Sequence, residues 1–75
     1  MNNIKEQLKD HIGEDVRFFY KKNGYVTGRI ETCNDYFVTL ENARAIMFGK
    51  RYYFIVTSVP FNTIKDVYCL RDNYE

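Results

Sequence analysis

Apolar and polar residues alternate in short runs along this chain, and the breaks fall at glycines and at one proline. Val16, Phe18 and Tyr20 alternate with Arg17, Phe19 and Lys21, which predicts a strand over residues 14–21 with the first set on the core face. Val26, Gly28 and Ile30 mark the same face of a second strand, residues 25–32. Asn23-Gly24 between them is a turn signal. A two-residue Asn23-Gly24 loop would pair Lys21 with Val26 and Arg17 with Ile30, mixing charge with core. A three-residue loop, Lys22-Asn23-Gly24, pairs Tyr20 with Val26 and Val16 with Ile30 and keeps one face apolar. That register is the expected one, with Gly24 in the left-handed position and Gly28 opposite Phe18.

The same parity carries on. A loop of Cys33-Asn34-Asp35 leads to a third strand, residues 36–47, with Val38 and Leu40 on the face of Ile30. A turn at Phe48-Gly49-Lys50 leads to a fourth, residues 51–58. Here both faces are apolar: Tyr52, Phe54 and Val56 alternate with Tyr53, Ile55 and Thr57, a pattern expected of a strand covered on both sides. Pro60 ends that ladder, and a last strand follows over residues 63–70, with a polar tail after it. At the other end Asn3 and Glu6 form a capping-box pattern, Ile4, Leu8 and Ile12 share a helical stripe, and Gly13 supplies the stop. A helix over residues 3–12 is too short to persist alone in water and must dock on the sheet.

These elements predict a mainly β fold. An N-terminal helix precedes a five-stranded, strongly bent antiparallel small barrel, and residues 1–75 form one domain. Strand four, doubly apolar, is the expected place for a second copy to pair, through Tyr52, Tyr53, Phe54, Ile55 and Val56.

The formal net charge of +1 argues against nonspecific duplex binding, which needs many cationic phosphate contacts. It leaves room for single-strand binding, where rings stack on bases, and the chain carries seven Tyr and six Phe. Cys33 and Cys69 read as small buried hydrophobes rather than a disulfide framework, and no signal peptide or apolar span stands out, so a reduced, cytoplasmic setting without a membrane is expected. His11 reads as a favourable charge at a helix C-terminus. One histidine and two distant cysteines do not make a metal site, and no nucleophile–base pair or phosphate loop appears. The expectation is a protein that is not an enzyme, with no metal and no cofactor.

Residues 28–42 form a strand, a polar turn and a second strand opened by a glycine. In that run Gly28, Ile30, Glu31, Phe37-Val38, Leu40 and Asn42 resemble, at matching spacing, the residues of the Sm/LSm superfamily and most closely its bacterial Hfq-like branch. The order of one helix and five strands is similar too. The resemblance implies a homo-oligomeric ring that binds single-stranded RNA. The family's ring-bearing turn before strand three corresponds to Asp35-Tyr36, next to Asn34, and Tyr20 corresponds to a base-stacking aromatic of the opposite face. The Tyr-Lys-His-Ala or Arg-Gly motif before the last strand is replaced by Pro60-Phe61-Asn62-Thr63, which removes half of the usual uridine pocket. The arginine-rich rim after the helix is replaced by Glu14-Asp15.

Candidate RNA-binding residues are therefore Tyr36, Asp35, Asn34, Tyr20 and Asn62, with the basic turn residues Lys21, Lys22, Lys50 and Arg51. In an up-and-down order those four basic residues share one end, opposite Asn34-Asp35, and a ring would multiply the patch. The same residues also have plain structural readings: Asn34 and Asp35 as turn formers, Tyr20 as core or interface, the lysines as solubilising charge. The alternative function is a protein-binding module or small regulator that docks its aromatic strand-four edge on a protein partner.

Overall fold

The computed structural model describes residues 4–70. The Asn3 cap and the polar tail lie outside the described residues. Helix α1 covers Ile4–Lys9, and the strands are β1 Asp15–Tyr20, β2 Tyr25–Cys33, β3 Phe37–Met47, β4 Lys50–Pro60 and β5 Ile64–Cys69. A 3₁₀ turn, Phe61–Thr63, links the last two. All five strands form one antiparallel sheet in the order β4-β3-β2-β1-β5.

The inward faces follow the alternation. Val16 and Phe18 of β1, Val26 and Ile30 of β2, Val38 and Leu40 of β3, Val59 of β4 and Ile64 of β5 are buried together. Leu8 of α1 joins them at 0% exposure and docks the helix. The helix stops earlier than expected. Asp10 N–H and His11 N–H bond three residues back, to Gln7 and Leu8, so the last turn tightens. Ile12 consequently leaves the stripe and is 51% exposed rather than buried. His11 Nδ1 lies 2.9 Å from Glu14 Oε1 instead of serving the helix end alone. Cys33 and Cys69 are half-buried against the core rather than fully inside it.

Register departs from expectation in all three hairpins. In the first, Val16 pairs with Gly28 and Phe18 with Val26, not Val16 with Ile30 and Phe18 with Gly28. The three-residue loop is Lys21-Lys22-Asn23, closed by Tyr20 N–H to the Gly24 carbonyl at 3.0 Å. Tyr20 also pairs with Ile64, and Lys21 N–H donates to the Thr63 carbonyl, so the end of β1 is held on its other side by β5. The shift of two residues preserves parity, which is why the core face survives.

In the second hairpin the loop is only Asp35-Tyr36, with Asn34 N–H donating to the Phe37 carbonyl at 3.0 Å. Ile30 pairs with Leu40 rather than Val38, and a bulge at Glu31 restores the inward set. A second bulge puts Asn42 and Ala43 of β3 opposite Gly28 alone. Asn42 takes a φ of 52°, a conformation that asparagine tolerates better than most residues. Because of that extra residue, Leu40 and Ala43 both point inward, where strict alternation would bury Asn42. Gly28 makes room for them: a Cβ there would come within 3.2 Å of Leu40 Cβ, the Glu41 oxygen and Ala43 Cα. The glycine thus accommodates the β3 bulge.

The third turn is the two-residue Phe48-Gly49, both at positive φ (54° and 77°), with Met47 paired to Lys50. From there β3 and β4 run in one unbroken register from Met47–Lys50 to Phe37–Pro60.

The order leaves β4 as one edge of the sheet and β5 as the other. Strand β4 is not covered on both sides within the chain. Tyr53, Ile55 and Val56 are exposed, Ile55 at 73%, whereas Phe54 packs against the core. No helix among the described residues is long and apolar enough to cross a membrane.

Candidate functional site

Two connecting segments meet at one end of the sheet. In the β2–β3 turn, Asn34 Oδ1 accepts the backbone N–H groups of Tyr36 at 2.7 Å and Phe37 at 2.9 Å. Two bonds saturate that oxygen, so only the amide nitrogen of Asn34 can serve a ligand. The turn is thereby rigid, and it carries Tyr36 outward at 78% exposure. The β4–β5 link is fixed in turn: Thr63 Oγ1 donates to the Pro60 carbonyl at 2.7 Å. Phe61 N–H donates to the Tyr36 carbonyl at 3.0 Å, tying the link to the turn. Asp35, Tyr36 and Asn62 are all exposed in these two joined segments.

The link also borders a second concavity of about 410 Å³. Tyr20, Lys21, Lys22, Phe48, Pro60 and Asn62 are among its lining residues. Tyr20 is half-buried, and burial raises its phenol pKa above the ordinary 10.0. Phe48 is 72% exposed despite its positive φ, so the turn aims an apolar ring at solvent.

The up-and-down expectation that the basic turns and Asn34-Asp35 lie at opposite ends needs amending. Lys21 and Lys22 share a concavity with Pro60 and Asn62, and the same link bonds to Tyr36. The expected basic group is itself divided. Lys50 is exposed at the β3–β4 turn, whereas Arg51 lies on the outward face of the sheet.

That outward face holds residues the sequence reading missed. Arg17 pairs with Thr27, Thr27 with Arg44 and Arg44 with Tyr53, forming one row across four strands. The neighbouring row is Phe19, Tyr25, Ile46 and Arg51. Between them lies a groove of about 480 Å³. The available signal was the parity of Arg17 and Phe19, opposite to the core set.

Among the described residues no group of three or more histidine, cysteine or acidic side chains could hold a metal ion. No family model and no curated protein matches the sequence. Solved structures do. A heptameric archaeal Sm protein aligns with a TM-score of 0.73 at 19% identity, over 88% of this chain and 98% of that one. The P. aerophilum SmAP1 heptamer gives 0.77 at 18% identity, over 96% and 99%.

The chain has the Sm fold.

The Pyrococcus abyssii Sm protein in complex with a uridine heptamer shares it at a TM-score of 0.76 and 16% identity, over 91% of this chain and 99% of that one. A chain of the NatC complex bound to a Gag peptide and CoA aligns as well, at a TM-score of 0.69 and 18% identity, over 81% of this chain and 87% of that one.

Proposed function

We propose that this chain is a non-enzymatic Sm-type subunit of the Hfq-like branch, which assembles into a homo-oligomeric ring in the cytoplasm and binds single-stranded RNA. The observation that carries the reading is the Asn34-held turn, which presents Tyr36 at 78% exposure and is bonded to the Asn62-bearing link. Tyr36 stacks a base, at a gain of about 1–3 kcal/mol for such a contact. Asn62 and the amide nitrogen of Asn34 address base edges, Asp35 accepts from a base donor, and Lys21, Lys22 and Lys50 meet phosphates. Tyr20 lines the adjoining concavity.

Assembly follows from the edges. The sheet ends in two unlike strands, β4 and β5, and joining one copy's β4 to the next copy's β5 is a head-to-tail contact that closes into a ring. It would cover Ile55 and Val56, which are exposed in the single chain. The archaeal Sm neighbours described as heptamers, one of them bound to a uridine heptamer, support this reading. Light scattering after size exclusion should give an oligomer. Titration with uridine- or adenosine-rich oligonucleotides at low salt should give saturable binding, weakened about 5–150-fold by Tyr36→Ala. A monomer with no affinity removes the proposal.

A second reading is a protein-binding module that docks the β4 edge on a partner. It is favoured by the exposed Tyr53, Ile55 and Val56 and by the neighbour found in a peptide-bound complex. It predicts a monomer that binds no oligonucleotide.

A further inference from the structure

The outward groove lies apart from the Tyr36 end that carries the RNA reading, and its chemistry is specific. Arg17 is held in place: its Nε donates to Thr27 Oγ1 at 3.0 Å and its guanidinium lies 4.6 Å from the centre of the Tyr25 ring. Tyr25 is braced from behind by Phe19, ring centres 5.6 Å apart. Tyr53 is fixed by its hydroxyl, which donates to Asn42 Oδ1 at 3.1 Å. Between these rings the register sets Ile46 as an apolar floor. Arg44 and Arg51 stand diagonally across β3 and β4, about 7–8 Å apart, within easy reach of two linked phosphates. Among the described residues neither guanidinium has a carboxylate partner in the groove. A pair of unpaired, forked cations beside a rigid aromatic slot suits a ligand with a planar ring at one end and a compact anion at the other.

The ligand is short as well. Asp66 lies beside Phe19 at one flank. Along the strands the next row is Asp15, Arg29 and Glu41, with Asp15 already 3.9 Å from Arg29. A polyphosphate strand leaving the groove across β5 or along the Asp15 row would run against carboxylates.

We propose that this groove is a binding site for a nucleoside diphosphate. The base lies over Ile46 between Tyr25 and Tyr53, and the phosphates are gripped by Arg44 and Arg51, with Arg17 adding charge from the far side. The site is separate from the Tyr36 end, and its β4 wall adjoins the edge used in ring assembly.

The test is isothermal titration of the full chain, in whatever oligomeric state it holds, with ADP, adenosine, inorganic pyrophosphate and a seven-nucleotide oligonucleotide. ADP should bind saturably at one site per chain, with adenosine and pyrophosphate each at least about tenfold weaker, since each satisfies only half of the groove. Arg44→Gln and Arg51→Gln, both at exposed positions, should each weaken ADP about tenfold or more and leave the circular dichroism spectrum unchanged. Tyr36→Ala should leave ADP affinity intact, which separates this site from the RNA reading. Absence of saturable ADP binding overturns the proposal, as does an affinity unmoved by both arginine variants. An oligonucleotide that displaces ADP and loses affinity equally in Arg44→Gln also overturns it, because the groove would then be a nucleic-acid track.

Discussion

Alanine at Gly24 should be among the most damaging single-methyl additions in this chain, and Gly13 supplies the control. Both glycines hold positive φ, +99° and +91°. At Gly13 a Cβ would meet nothing within 4 Å. Its alanine variant carries only the backbone penalty, about 1–2 kcal/mol. At Gly24 the Cβ would overlap the Ile46 carbonyl oxygen and stand 3.0 Å from Met47 Cα. These are backbone atoms of β3 beside the Tyr25–Ile46 pair, so no rotamer change relieves the clash. Displacing the strand adds about 1–3 kcal/mol, giving roughly 2–5 kcal/mol in all. A chain of this length has about 4–11 kcal/mol of total stability, so Gly24→Ala removes a large part of it. Urea unfolding of both variants at one fixed protein concentration compares them under the same mass-action contribution from association. The expected midpoints order as parent, Gly13→Ala, then Gly24→Ala well below. Equal midpoints for the two variants would refute the close approach of Gly24 to β3.

Leu8→Ala should cost about 2–5 kcal/mol, because Leu8 is at 0% exposure and anchors α1 to the sheet; loss of helical signal before the sheet melts is the readout. Asn34→Ala deletes the acceptor of two turn amides and should cost about 1–2 kcal/mol in thermal unfolding, with weakened oligonucleotide binding alongside. Tyr20 has a folded-state phenol pKa raised by burial above its unfolded value of 10.0. Its contribution is therefore whole below pH 10 and fades as pH rises through the folded value, so Tyr20→Phe should flatten the alkaline decline in stability. A parent and variant with identical alkaline curves would contradict that burial.

Faces were legible in the sequence and registers were not, for one physical reason. Which side of a strand is apolar depends on alternation within that strand, and Val16-Phe18, Val26-Ile30 and Val38-Leu40 state it locally. Which residue stands opposite which depends on what else competes for the ladder. Tyr20 pairs with Ile64 of β5, a residue 44 positions away in sequence, and the first loop sits one residue nearer the N-terminus than alternation alone suggests. Asn34 was legible as a turn former, whereas Tyr36 was marked as a base-stacking candidate only through the family resemblance. The link between that turn and the 60–63 segment, one backbone bond from Phe61 to Tyr36, has no local signature.

The outward groove shows how a single bulge decides chemistry. Continued from Leu40 by strict alternation, the inward set of β3 would be Asn42 and Arg44, with Ala43 and Ala45 outside. The extra residue at Asn42 inverts this: Ala43 and Ala45 are buried and Arg44 faces outward in the row of Arg17, Thr27 and Tyr53. The same asparagine then receives the Tyr53 hydroxyl and fixes one wall of the groove. Gly28 allows the bulge, Asn42 adopts it, and Arg44 is its product. Bringing the arginines together thus rests on a glycine and an asparagine that touch no ligand, which is why reading each strand by its own alternation leaves Arg17 and Arg44 as separate solvated charges.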